Sequence, residues 1–228
     1  MPKRYADAFG SGLLFNTPSI NAPLDPQILQ PDWQVLDLLN VRLVADCGSS
    51  STNFVEHAGF PFPTFDSQII LRPGKTVSLS GSSFKAEGLT IVTTLANAGD
   101  IAQGETVAQI TAFTKDGRQF ELALKAGIDT AEWAHERPDV KPQVKHELAK
   151  VFEQQVSDAK QTFPAYHYWS NLKFDQATEI DHLLLQSKMP HGEMVIWRTG
   201  LYSLQPKQMV SVYARLPEQW RKGYDQDP

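Results

Sequence analysis

The tetrapeptide Lys115-Asp116-Gly117-Arg118 sits between two β-prone runs, residues 106–113 and 119–125. Asp-Gly between two such runs is the strongest hairpin signal in the chain. On the second arm Phe120, Leu122 and Leu124 alternate with Gln119, Glu121 and Lys125. One face is therefore buried and the other wet, as in an antiparallel sheet. Further short β-prone runs occupy residues 68–71 and 76–79, around the turn 72–75, and residues 89–95, 166–174, 179–186 and 193–197. No helices alternate with them, so the pattern predicts a β-sandwich or jelly roll over residues 66–205.

Residues 1–65 have a different texture. Gly10, Gly12 and the prolines at 18, 23, 26 and 31 describe a loop-dominated lead-in. Asp32 is placed to cap a short helix over residues 33–40, and residues 41–45 read as a strand. Residues 48–66, with Phe60-Pro61-Phe62-Pro63, read as loop. The expectation is a mainly β chain in three parts: an irregular N-terminal α/β subdomain (1–65), the sandwich (66–205) and a C-terminal segment (206–228). Within the sandwich, Val144, Leu148, Val151 and Phe152 fall at helical spacing, and that period alone predicts a helix over residues 143–160.

Composition removes several functions. A chain of 228 residues with 41% hydrophobic and 21% charged residues has enough apolar material for a substantial core. Its net charge of −5 provides no basic stripe to displace counterions from nucleic acid or to bind an anionic membrane. No apolar run approaches the ~18 residues of a membrane-spanning helix. Met1-Pro2-Lys3-Arg4-Tyr5 lacks the apolar centre of a signal peptide. Cys47 is the single cysteine, so no internal disulfide forms, and it reads as a small packed residue.

Familiar catalytic motifs are missing. Gly74-Lys75-Thr76 would need a glycine where Ile69 stands to be a P-loop. The histidines at 57, 135, 146, 167, 182 and 191 form no zinc-type pair, and no Gly-x-Ser-x-Gly elbow occurs. No cofactor is expected. A structural calcium at a sandwich edge is the one ion for which the carboxylate supply leaves room.

Residues 127–140 are the densest chemistry in the chain. Asp129, Glu132, His135, Glu136, Arg137 and Asp139 surround Trp133. A flat indole with a few aimed polar groups suits a sugar ring. The same residues also suit a staple, in which Trp133 plugs a sandwich end and Arg137 pins the crossing chain through a carboxylate. Chemistry alone favours the staple. Tyr166-His167-Tyr168-Trp169 should place Tyr166 and Tyr168 on one strand face and His167 and Trp169 on the other. One face must be core, and the other, with Trp169, is either cross-strand packing or a carbohydrate platform. Glycoside hydrolysis would require two opposed carboxyls, for which Glu132 with Glu136 or Asp139 are the candidates.

Two stretches carry a resemblance. Residues 38–44, Leu38-Leu39-Asn40-Val41-Arg42-Leu43-Val44, resemble a segment in extracytoplasmic parts of YfhO-like bacterial multi-span membrane proteins and related lipid-linked-sugar glycosyltransferases. Leu43 stands where that family usually has tyrosine. Residues 126–134 and 137–140 are similar to a second, more specific stretch, and the likeness covers most of residues 35–224. It implies a periplasmic or cell-surface domain following membrane helices, with a galactose-binding-like jelly roll and a chain that continues past Pro228. The family's catalytic acidic residues lie between membrane helices, so none carries over and this fragment is expected to be non-catalytic. The implied partners are a glycan or lipid-linked sugar and the membrane portion of the same parent chain. The resemblance also makes the first half of residues 143–160 extended, with at most a short helix over residues 153–159. The leading expectation is a carbohydrate-recognition or substrate-presenting domain with Trp133 and Arg137 central. The alternative is a structural or protein-interaction lid in which Trp133 is fully buried.

Overall fold

The computed structural model describes residues 54–64, 67–157 and 162–214. All of them belong to one compact unit, Gly48–Pro228. The helix expected over residues 33–40 and the strand over residues 41–45 lie outside the described residues.

The described chain is mainly β, a curled antiparallel sheet with a small hairpin laid against it. In chain order the strands are β1 (Phe54–His57), β2 (Phe60–Pro63), β3 (Ile69–Leu71), β4 (Thr76–Ala96), β5 (Thr106–Thr114) and β6 (Gln119–Lys125). They continue with β7 (Val151–Ser157), β8 (Phe163–Ser187), β9 (Glu193–Leu204), β10 (Lys207–Ser211) and β11 (Tyr213–Ala214). The main sheet runs β10-β9-β4-β8-β5-β6, with β3 also on β9, β7 on β8 and β11 on β4. Among the described residues the one helical element is the 3-10 turn Lys141–Gln143.

Two long strands set the shape. β4 and β8 pair from Thr76↔Gln186 to Thr93↔Tyr168, with register shifts between Ser80 and Phe84 and between Ala86 and Gly88. Such bulges increase local twist and bend a strand, so one pair can serve two differently oriented parts of a sheet. The near end of the pair carries β5 and β6, and the far end carries β7 and β9. Runs that read as separate strands in the sequence, 76–79 with 89–95 and 166–174 with 179–186, are thus single strands continued through the bend. Gly88 marks it. A Cβ there would lie 2.6 Å from the Leu172 carbonyl oxygen and 2.7 Å from the Tyr202 hydroxyl.

Alternation divides the sheet into two faces. Leu89, Ile91 and Leu95 of β4, Ile110 of β5, Leu183 and Leu185 of β8 and Ile196 of β9 share the main core. On the opposite face Phe62, Val92 and Trp169 form a second cluster, joined by Phe60, Phe152 and Trp197. The β1–β2 hairpin covers that second face: the Thr90 hydroxyl donates to the Pro61 carbonyl at 2.9 Å, and an Arg198 guanidinium N–H to the Pro63 carbonyl at 3.3 Å. Residues 54–57 and 60–63, within a stretch expected to be loop, are strands. Their turn, Ala58-Gly59, has φ of 50° and 86°, the primed geometry, without the asparagine or aspartate that usually announces it.

The segment 143–160 needs a correction. Val151–Ser157 is an antiparallel strand on β8, so no helix forms over residues 153–157. Phe152 enters the second-face cluster while Val151 is exposed, an edge-strand alternation that outweighs the helical spacing.

Candidate functional site

Beyond Thr93↔Tyr168 the strands β4 and β8 separate, and residues 131–133 enter the gap. The Leu95 amide donates to the Ala131 carbonyl at 2.9 Å, and the Trp133 amide returns a 2.8 Å bond to Leu95. On the other side the Tyr166 amide donates to the Trp133 carbonyl at 3.0 Å, and the Tyr168 hydroxyl to the Glu132 carbonyl at 2.9 Å. Three residues of a connecting segment thus satisfy backbone groups that two diverging strands would leave open. Burial pushes the Tyr168 phenol well above its ordinary pKa, so it stays a donor.

A groove of about 450 Å³ lies where the strands part. Its lining comes from Trp133, from Tyr166 and His167 of β8, Trp197 of β9 and Gln155 and Val156 of β7, with smaller residues of β4, β8 and β9 between them. Trp197 is held by its indole N–H, which donates to the Thr94 hydroxyl at 3.1 Å. The His167 ring stacks on Trp197 with centroids 4.3 Å apart and 22° between planes, and its Nδ1 is 2.7 Å from the Glu153 carboxylate. Trp133 is half-buried and tilted against Phe163 at 5.5 Å. Val156 on the rim is 68% exposed.

The ionic residues of the 129–139 segment bond mainly to their own loop. Asp129 accepts from the Lys125 amide at 2.9 Å and from the Ser170 hydroxyl at 3.0 Å. Glu132 is 2% exposed and accepts from the Ala98 amide at 3.0 Å. Burial raises its pKa, opposed by bonds from the Ala98, Ala134 and Asn97 amides and by the charge of Arg137. Glu136 lies between Lys141 and the His135 ring, and these two hydrogen bonds lower its pKa. Arg137 donates to Asp139 at 2.7 Å and lies over the Phe163 ring at 5.8 Å. Among these residues Trp133 alone lines the groove.

His146 holds the segment from below. Its Nε2 accepts from the Glu132 amide at 3.0 Å, and its Nδ1 lies 2.8 Å from the Ile101 carbonyl. An amide can only donate, so Nε2 is bare, the proton is on Nδ1, and the ring is neutral. Burial pushes its pKa below the ordinary histidine value. The His135 Nε2 reaches the His146 carbonyl at 2.9 Å, completing the chain of contacts.

Trp169 is elsewhere. It is 9% exposed among Phe60, Phe62 and His57, with the Lys150 ammonium 5.1 Å from its ring centroid. The faces of residues 166–169 follow the expected division: Tyr168 packs with Ala131 and Ala149, and Trp169 with Phe62 and Val92. Sequence reasoning did not single out Gln155, Val156 or Thr94, because the groove assembles from four strands distant in the chain. Among the described residues no group of three or more His, Cys, Asp or Glu side chains is arranged to hold a metal ion. Nor is any helix among them long and apolar enough to cross a membrane. No protein-family model, no curated protein and no solved structure matches this chain.

Proposed function

We propose that this protein is a non-catalytic carbohydrate-recognition or substrate-presenting domain, and that the groove beside Trp133 is its binding site. The observation that carries the reading is the lining itself: two indoles, a phenol and an imidazole in one concavity, interspersed with a few neutral polar groups. Aromatic surface covers the C–H faces of a sugar, and the polar groups orient its hydroxyls. In this reading the segment 129–139 acts as the mount for Trp133. Its carboxylates are occupied by internal bonds and are not the ligand's acceptors.

The wider context is part of the same proposal. The curled sheet is read as a galactose-binding-like jelly roll, on the extracytoplasmic side of a YfhO-like, glycosyltransferase-type membrane protein, after the likeness of residues 38–44 and 126–140. A glycoside hydrolase is the weaker reading. Glu132 does carry a raised pKa, as a general acid would, but it is enclosed and faces backbone amides, while Glu136 is neutralised by Lys141.

A structural or protein-interaction lid is favoured by one observation, the internal pairing of nearly all the ionic groups between Asp129 and Lys141. Isothermal titration of the full chain with neutral oligosaccharides separates the two. Recognition predicts saturable binding that Trp133→Ala weakens about tenfold or more. A lid predicts none, and the absence of binding across glucose-, mannose-, galactose- and N-acetylhexosamine-based oligomers would refute the recognition reading.

A further inference from the structure

The hydrogen-bond inventory of the groove narrows the ligand. Among the described residues, neither the Trp133 indole N–H nor the Tyr166 hydroxyl makes a hydrogen bond within the chain, although both rings line the groove. Gln155 donates to Glu153 through Nε2 at 3.1 Å, so its Oε1 is left to accept. Trp133, Tyr166 and Gln155 thus offer one N–H donor, one hydroxyl that both donates and accepts, and one amide oxygen. All three are neutral.

Among the described residues no lysine or arginine lines the groove. Among the described lining residues the one histidine is His167, and its Nδ1 lies 2.7 Å from the Glu153 carboxylate. Three described cations close to the lining residues in the chain are engaged elsewhere: Arg137 with Asp139, Lys150 over the Trp169 ring, and Arg198 with the Pro63 carbonyl and the Phe152 ring. A ligand carboxylate or phosphate entering this space would lose water and meet no lysine or arginine among the described lining residues, while lying near Glu153.

From these contacts we infer that the groove selects uncharged sugar residues and excludes anionic ones, so that a sugar enters while any phosphate or pyrophosphate joined to it stays outside. The inference rests on the carbohydrate reading given above and adds the ligand's charge class. Hydroxyls match the vacant donors and acceptor, and C–H faces match the rings.

The test titrates the full chain with neutral tri- and tetrasaccharides of glucose, mannose and galactose, and with the corresponding uronic-acid oligomers, at low ionic strength. Low salt leaves charge effects largely unscreened. The expected result is saturable binding of at least one neutral oligomer, about tenfold or more tighter than its uronate counterpart. Tyr166→Phe, which removes one hydroxyl and keeps the ring, should weaken neutral binding about 3–10-fold, with an unchanged urea midpoint. Uronates binding as tightly as the neutral sugars, through Trp133, would overturn the charge inference and leave carbohydrate recognition standing. If neither class binds, both fall.

Discussion

The bare Nε2 of His146 accepts the Glu132 amide proton at 3.0 Å, one residue before the tryptophan that lines the groove. This contact ties the inserted segment to the loop carrying Ile101, whose carbonyl takes the ring's other nitrogen. It also makes the mount of Trp133 depend on a neutral imidazole.

Protonating His146 would replace an acceptor with a donor facing the Glu132 amide. Its folded-state pKa lies below the ordinary value of 6.5, so below that pH the unfolded chain binds a proton that the folded one resists. Stability is therefore expected to fall as pH drops from about 6.5 through the lowered value. The ring is faced by His135, which lowers its pKa further, and by Asp100, which raises it. Urea midpoints measured from pH 8 to pH 5 for wild type and His146→Gln check this, since the variant should lack that part of the acid-side loss.

Glu132 acts in the opposite sense. Burial raises its folded-state pKa above 4.5, so its contribution weakens as pH rises from 4.5 through the raised value, where the unfolded chain gives up its proton more readily. At neutral pH, Glu132→Ala should still destabilise by about 1–3 kcal/mol, because it leaves the Ala98 amide without its acceptor. Glu132→Gln keeps an oxygen in place and should cost less. Denaturant unfolding of the two variants at pH 7 gives the comparison.

Gly88 admits no side chain without displacing backbone. Gly88→Ala would set a methyl group 2.6 Å from the Leu172 carbonyl oxygen at the bend of β4, and a loss of about 1–3 kcal/mol in unfolding free energy is expected. Alanine at Gly117, where the Cβ meets nothing within 4 Å but φ is +84°, tests conformational strain alone.

The two tryptophans singled out in the sequence should separate by role. Trp169 is packed among aromatic rings beneath the β1–β2 hairpin, and Trp169→Ala is expected to cost about 3–5 kcal/mol. Trp133 is half-buried, and Trp133→Ala should cost only about 1–2 kcal/mol while weakening ligand binding about tenfold or more. Thermal denaturation alongside calorimetric titration distinguishes a stability defect from a binding defect.

Much of the sheet is legible in the chain because alternation and turn chemistry are local. The arm 119–125 matches β6, and the face assignment of Tyr166 to Trp169 holds in three dimensions. Features that depend on partners were hidden. Ala58-Gly59 makes a primed turn without a residue type that marks it, and Pro61 and Pro63 disguise a strand that, among the described residues, pairs with β1. Val144, Leu148, Val151 and Phe152 have a helical period, yet Val151 and Phe152 lie in β7, where pairing with β8 and the pocket for Phe152 decide the conformation. The segment around Trp133 announced its polar–aromatic density. Its sequence could not convey that the carboxylates would turn inward to the loop while the indole reached residues of β7, β8 and β9.

Fluorine NMR of the chain labelled with 5-fluorotryptophan tests the groove most directly, because Trp33, Trp133, Trp169, Trp197 and Trp220 each report separately once assigned by single Trp→Phe variants. With increasing neutral oligosaccharide, the Trp133 and Trp197 resonances should shift saturably and together while Trp169 stays in place. Saturable shifts at Trp169 with Trp133 and Trp197 unmoved, or no shift at any tryptophan across the neutral panel, would contradict a binding site between the diverging ends of β4 and β8.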